Sequence, residues 1–461
     1  MTAPLAQLLG AGMAVPCLDG VERPYVDLDC AASTSAMVKV AEVVDEFLPR
    51  YSSVHRGAGY RSRMATVAYE EARATVLDFC GGDRRDRDDV AIICRNTTEA
   101  LNHLAYRLRL SPDDVVVTTL VEHHANLLPW ARMARIRFVD CGTDGTFTID
   151  DVVAALDEEP RPVLLAVTGA SNVTGWRPPV DVLCAAAHER GIPVVLDAAQ
   201  LAPHRLLPAE PDFVAFSGHK LYAPYGAGAL VGPRSAFSEG DPFLAGGGAV
   251  DLVTVDEVIW TEPPEREEAG SPNVVGAVAF AAALRELEVI GWGAIETHER
   301  PLAERLRSGL AAIDGVTVLG PSLDTETLAV AAFNVAGLHH ALVAARLSAE
   351  WGIGVRHGCF CAHPYLLRLL DLGEDDVEAA RQEVRRGDRR RVPGAVRASC
   401  GLGTTEADVD LLLEALADLA AGSPAPVPYV QDPSTGDFWP ETELPGWSVA
   451  ERPVGAACAR G

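Results

Sequence analysis

Ser217-Gly218-His219-Lys220 places a lysine directly after an apolar run, Asp212-Phe213-Val214-Ala215-Phe216. A glycine-rich return, Ala223-Pro224-Tyr225-Gly226-Ala227-Gly228, then leads into a second apolar run, Ala229-Leu230-Val231. The pattern predicts a lysine at the end of a buried strand, flanked by small residues and a histidine. Burial lowers the pKa of a lysine and makes its amine a nucleophile suited to Schiff-base chemistry. Upstream, another apolar run, Pro193-Val194-Val195-Leu196, ends in Asp197-Ala198-Ala199-Gln200. An aspartate at the carboxyl end of such a strand points into the crevice where open α/β sheets bind ligands.

The two strings, strand-Asp-x-x-Gln and Ser-x-His-Lys, resemble those of the class V aminotransferase family of pyridoxal phosphate enzymes. Within that family the chain is most similar to the cysteine desulfurases and selenocysteine lyases of group II type, from Asp29 to about Leu413. The resemblance implies pyridoxal 5'-phosphate as cofactor, held by Lys220, with Asp197 keeping its ring nitrogen protonated so that the ring is a better electron sink. Asp197 and Gln200 then belong to the cofactor site, and Ser217 and His219 donate to the phosphate.

Further strings carry the same likeness. Arg95-Asn96-Thr97-Thr98-Glu99-Ala100 follows a strand and opens a helix. Two threonines at a helix N-terminus offer hydroxyls and free N–H groups to an anion; the resemblance makes Thr97 and Thr98 the phosphate cup, with Thr98 the side-chain donor. The same residues read alone also suit a threonine N-cap with Glu99 in the first turn. In Glu122-His123-His124-Ala125-Asn126 the family stacks the first histidine, His123, on the pyridine ring, where it can also move a proton. A His-His pair could instead bind metal, but no third ligand lies at a metal-like spacing, so none is expected. By resemblance, Asn172 contacts the substrate carboxylate or the cofactor's phenolic oxygen, and the Val54-His55-Arg56-Gly57 turn brings His55 to the substrate. Glu268-Ala269-Gly270-Ser271-Pro272-Asn273 matches a family string in which the residue at Ser271, usually threonine, reaches the phosphate of a neighbouring subunit. A homodimer with shared active sites follows.

Gly354-Val355-Arg356-His357-Gly358-Cys359-Phe360-Cys361 bears on the reaction. Group II desulfurases carry a nucleophilic cysteine five residues after an arginine, which corresponds to Cys361 after Arg356. Its thiolate would take the sulfur of a bound cysteine as a persulfide, and nearby His or Arg lowers a thiol pKa. Cys359 stands where the family has histidine. It suits a resolving or relaying thiol, an inert one, or half of a metal site lacking its second pair; similar Cys-Phe-Cys loops occur in molybdenum-cofactor-sulfurase-like relatives. Arg397 matches the arginine that clamps the substrate carboxylate bidentately. The implied activity is cysteine desulfuration, L-cysteine to L-alanine, with a possible sulfur-acceptor protein. The alternative on the same scaffold is a C–S lyase, aminotransferase or epimerase acting on a cysteine conjugate or other amino acid in specialised metabolism.

These residues need a scaffold. At 461 residues the chain is too long for a single ordinary core. Strands alternate with helices from residue 90 to 232, which indicates parallel βαβ units. The expected fold is α/β, the type I pyridoxal phosphate (aspartate aminotransferase-like) fold: a large domain with a mostly parallel sheet, then a smaller α+β domain. The expected boundaries are an N-terminal segment 1–28, a large domain 29–290, a small domain 291–421 and a Pro- and Trp-containing tail 422–461. A charged stretch between Leu372 and Val392, which group II relatives largely lack, reads as a solvated helix and loop. A net charge of −26 disfavours nucleic acid and anionic membrane as partners. No basic n-region precedes Val15 and no apolar run spans a bilayer. Ten scattered cysteines fit a reducing cytoplasm.

Overall fold

The computed structural model describes residues 3–55, 57–81, 84–442 and 446–448. Arg56, expected in the His55 turn, and much of the tail beyond 442 lie outside the described residues.

A seven-stranded sheet forms the centre. Its spatial order is Asp89–Cys94, Gly228–Pro233, Phe213–Ser217, Val194–Asp197, Leu164–Thr168, Val115–Thr119 and Arg135–Val139. From Phe213–Ser217 to Arg135–Val139 all pairings are parallel. The parallel reading of 90–232 fails at one strand: Gly228–Pro233 runs antiparallel to both its neighbours. The reason is the short glycine-rich return after Lys220, which is too tight for a crossover helix. The central strands are buried along their whole length, as their unbroken apolar runs require with helices on both faces. Each fully buried Val, Leu or Phe adds about 1.5–3 kcal/mol.

One face packs against Tyr60–Phe79, Val38–Phe47 and Val274–Ile290; the other packs against Thr97–Arg107. A buried charge ties the first face to the sheet. Glu268 accepts from Tyr69 Oη (2.7 Å), Arg73 Nη2 (2.5 Å) and the Ile93 amide (2.6 Å). Gly291, at φ +84°, separates Val274–Ile290 from Trp292–Ala311. Past it comes an antiparallel sheet in the order Val316–Leu319, Val330–Val335, Ala395–Ser399, Arg356–Gly358. Helices Trp292–Ala311, His340–Trp351 and Glu406–Ala420 pack with it. The N-terminal segment joins this second layer: Val26–Asp27 pairs in parallel with Ile353–Gly354, and Asp29 bridges to Ser399. Helix Glu374–Arg385 buries no residue, as its charge pattern predicts. No helix among the described residues is long and apolar enough to cross a membrane.

Candidate active site

Parallel strands aim their carboxyl ends at one edge, so Thr168, Asp197 and Ser217 meet there, with the turns after Cys94 and Thr119. A cavity of about 350 Å³ opens at that edge, against the second layer. That volume is in the range of small-molecule sites, ~300–1,000 Å³. Thr97, Thr98, His123, Asn172, Asp197, Gln200, Ser217, His219, Lys220, Arg356, Cys361 and Arg397 all line it. His55 and Ser271 stand apart. They line a second cavity of about 620 Å³ with Gly247, Gly248, Gly270 and Pro272, and His55 Nε2 lies 3.0 Å from Glu70 Oε1. His55, Glu70 and Glu265 are spaced as three metal ligands could be, but the Arg73 guanidinium already pairs with both glutamates.

One end of the cavity is a donor-rich helix start. The cap of Thr97–Arg107 is Asn96, whose side chain accepts from the Glu99 amide at 3.0 Å; a threonine cap is therefore corrected to asparagine. Both threonines are thereby left for other partners. The Thr97 amide donates to Ser217 Oγ at 2.7 Å, and the two hydroxyls lie 2.6 Å apart, while Thr98 is exposed at the cavity. Gly228 makes this closeness possible: a Cβ there would meet Phe216 O at 2.7 Å and Asn96 Cα at 2.9 Å. His219 Nδ1 faces Ser33 Oγ at 3.3 Å.

The middle holds Lys220, Asp197 and His123. Burial pulls the Lys220 pKa down to about 8, with Asp197 opposing the shift. Burial pushes the Asp197 carboxyl up, against the Ala199 amide at 3.0 Å and the Lys220 charge. His123 is held down at about 3 by burial and then by Lys220, so its ring is neutral. The buried Glu122 sets its place. Its carboxyl group, with a pKa pushed up to about 8 by burial, accepts from Thr119 Oγ1 (2.8 Å), the Thr168 amide (3.0 Å) and Asn126 Nδ2 (2.7 Å), tying two strands to the His123 turn. Gln200 Nε2 donates to Ala31 O at 2.6 Å.

The far end is cationic. Arg397, 2 % exposed, donates to Asn172 O at 2.9 Å and to Asp29 Oδ1 at 3.0 Å. Arg356 meets the other oxygen of Asp29 at 2.9 Å. The register places Arg356 directly opposite Arg397, a repulsive pairing that Asp29 neutralises. The cysteine loop closes over this end. Phe360 (φ +54°) and Cys361 (φ +55°) are both left-handed, which costs about 1–3 kcal/mol each for side-chain-bearing residues. Three contacts hold them there: Asn172 Nδ2 to Phe360 O (2.7 Å), the His124 amide to Cys361 O (2.7 Å), and Arg397 over the Phe360 ring at 5.1 Å. His124 itself stacks on His363 at 5.1 Å. Cys361 is exposed to the cavity, whereas Cys359 is half-buried and burial raises its pKa.

This donor set fits pyridoxal phosphate. The helix start with Thr97, Thr98, Ser217 and His219 suits a phosphate, the buried Asp197 carboxyl suits a ring N–H, and Lys220 is a depressed amine between them. Asp29 and Glu122 were visible in the sequence only as letters of motifs; their bridging roles link residues far apart in the chain.

Comparison with known proteins identifies the family. Residues 26–412 match the family model Aminotransferase class-V. A probable cysteine desulfurase of Halalkalibacterium halodurans is 34% identical over 405 residues, spanning 85% of this chain and 92% of that protein. The apo structure of cysteine desulfurase from Thermococcus onnurineus NA1 superposes with a TM-score of 0.76 at 34% identity, covering 86% of this chain and 95% of that one. Cysteine desulfurase CsdA (S-sulfonic acid) from Escherichia coli gives 0.71 at 32% identity, covering 86% and 94%.

Proposed function

The chain belongs to the class-V aminotransferase family, and from that premise we propose that it is a pyridoxal-phosphate-dependent cysteine desulfurase, releasing L-alanine and keeping the sulfur as a persulfide on Cys361. The observation that carries the reading is the exposed Cys361 on a strained loop in the same cavity as Lys220 and Arg397. Bound pyridoxal phosphate supplies an electron sink beside the substrate's α-carbon.

The protein's own groups do the rest. Arg397 takes the substrate carboxylate; Asp29, braced by Arg356, keeps its guanidinium aimed. With a pKa near 8, the Lys220 amine is suited to move the α-proton and return it. Asp197 would hold the ring-nitrogen end of the cofactor, and His123, neutral, lines the cavity without adding charge. The Cys361 thiolate attacks the substrate sulfur: a sulfur–sulfur bond forms and the Cβ–S bond breaks. The Cβ–S electron pair stays with the carbon skeleton, which gains a proton and leaves as alanine. Discharge of the persulfide to a sulfur-acceptor protein follows, consistent with an exposed loop.

The working unit is a homodimer in the cytoplasm. The nine cysteines among the described residues are free thiols, as a reducing compartment requires. The dimer reading is supported by Ser271 and His55 lining a cavity separate from the one that holds Lys220, which leaves them free to serve a partner's site.

Incubation of the holoenzyme with L-cysteine, assaying alanine, pyruvate and sulfide together, tests the reading. Alanine is expected as the carbon product, with a persulfide on the Cys361 peptide. Cys361→Ala is expected to bind cysteine and lose alanine formation, while Cys359→Ala retains it. Pyruvate in place of alanine, or full activity in Cys361→Ala, overturns the desulfurase assignment.

A further inference from the structure

Beyond the family match at residue 412, the chain builds a hairpin, Tyr429–Gln431 paired antiparallel with Phe438–Pro440. The hairpin is fastened at several points. Tyr429 Oη donates to Glu350 Oε1 at 3.0 Å, and Phe438 packs on the His339 ring at 5.5 Å. The charged stretch between Leu372 and Val392 grips its turn: the Arg389 amide donates to Pro433 O at 2.8 Å, Arg389 Nη1 to Ser434 O at 2.8 Å, and Gln431 Nε2 to Arg390 O at 3.0 Å. The hairpin and the charged stretch therefore lock onto each other.

They meet beside the active site. A cavity of about 430 Å³ is walled by Asp437, Phe438 and Trp439 on one side and by Asp29, Arg356 and His357 on the other. Arg356 lines both this cavity and the catalytic one. Asp437 Oδ1 stands 3.3 Å from His357 Nε2, and His357 Nδ1 is buried with no hydrogen-bond partner among the described residues. His357 is the middle residue of Arg356–Gly358, a three-residue strand at the edge of its sheet with Ala395–Ser399 as its one neighbour there. Such a short edge strand has few ladder bonds to fix it. It nevertheless carries Arg356 at its start and leads straight into the Cys361 loop.

We propose that the C-terminal hairpin is part of the active site, with Asp437 and His357 as positioning residues. Their contact pins the edge strand so that Arg356 stays on Asp29, Asp29 stays on Arg397, and the Cys361 loop keeps its left-handed turn. The part of this inference read through turnover rests on the desulfurase reading; the part read through the thiol does not.

The test compares wild-type holoenzyme with Asp437→Ala, Asp437→Asn and Tyr429→Phe. For Asp437→Ala, KM for L-cysteine should rise roughly tenfold with a smaller fall in kcat, below the ~10²-fold cost of a full 1 Å misplacement. Alkylation of Cys361 by iodoacetamide, followed by peptide mass spectrometry, should accelerate several-fold as the loop loosens. Tyr429→Phe, which frees the hairpin at its other end, should show the same pair of changes in weaker form. Asp437→Asn keeps an oxygen facing His357 and should stay near wild type. Wild-type KM and alkylation rates in both Asp437→Ala and Tyr429→Phe overturn the proposal. If the wild type forms no alanine at all, the desulfurase reading falls, and the alkylation comparison alone decides the positioning role.

Discussion

Lys220 owes its reactivity to where the strand before it ends. Its depressed pKa, about 8, leaves roughly a tenth of the amine neutral at pH 7 in the cofactor-free protein. Because the neutral amine grows as pH rises through the lysine pKa, cofactor uptake should speed up roughly fivefold from pH 7 to pH 8, nearly double again by about pH 9, and level off above that. Stopped-flow absorbance on mixing apoprotein with pyridoxal phosphate reads the rate; borohydride reduction and peptide mapping should place the adduct on Lys220, and Lys220→Ala should form none. A flat rate profile, or an adduct on another lysine, contradicts this role. His123, neutral down to about pH 3, adds no inflection of its own in this window. Lys220, Asp197 and His123 were legible because each ends an apolar run beside a distinctive string. Asp29 and Glu122 were not, because their meaning lies in contacts across 368 and 46 residues of sequence, with Arg397 and the Thr168 amide. No local pattern records such pairings.

At the scale of elements, the antiparallel strand Gly228–Pro233 is what brings the start of Thr97–Arg107 against Ser217. Gly228 faces Cys94 on one side and Ser217 on the other. An alanine there would drive its methyl into the backbone of Phe216 and Asn96, neither of which can swing away. Gly228→Ala should lower unfolding free energy by about 1–3 kcal/mol, as overpacking does, and should weaken cofactor binding at least tenfold. Gly293→Ala, on the exposed side of Trp292–Ala311 with nothing within 4 Å of its added Cβ, is the control and should leave cofactor binding unchanged with no loss of stability. Equal cofactor affinity in the two variants would show that this approach does not shape the phosphate end. The buried strands were readable from their apolar runs, and the reversal at Gly228 follows from the short return before it. The three-residue strands at 356–358, 429–431 and 438–440 were not readable, since three residues are too few for alternation to register. The helix cap was misread because Asn96 and Thr97 are both good capping types, and only the extended backbone at Asn96 decides between them.

At the scale of the whole molecule, the single chain leaves an apolar hairpin uncovered. Val250–Val253 and Val258–Trp260 pair antiparallel and stand away from both large sheets. Leu252, Val253, Val255, Val258 and Ile259 are 54, 57, 102, 43 and 44 % exposed. A contiguous apolar hairpin on a chain of net charge −26 calls for a covering surface. Asp251 and Thr261, at its base, line the same cavity as Ser271, Gly247, Gly248 and His55. A two-fold interface buries the same patch on both subunits, so covering this hairpin with a second copy sets each Ser271 cavity against the partner. Sedimentation velocity should therefore find twice the 48.9 kDa chain mass. If the proposed dimer holds, a Val253→Asp, Val255→Asp double variant should shift toward monomer and lose alanine formation together, because separated subunits would no longer share Ser271. Ser271→Ala should remain dimeric while its affinity for pyridoxal phosphate falls about ten- to a hundredfold, the equivalent of one hydrogen bond to a charged group. An active monomer at assay concentration, or a double variant that stays dimeric and active, would place the interface elsewhere and return Ser271 to a structural role in its own chain.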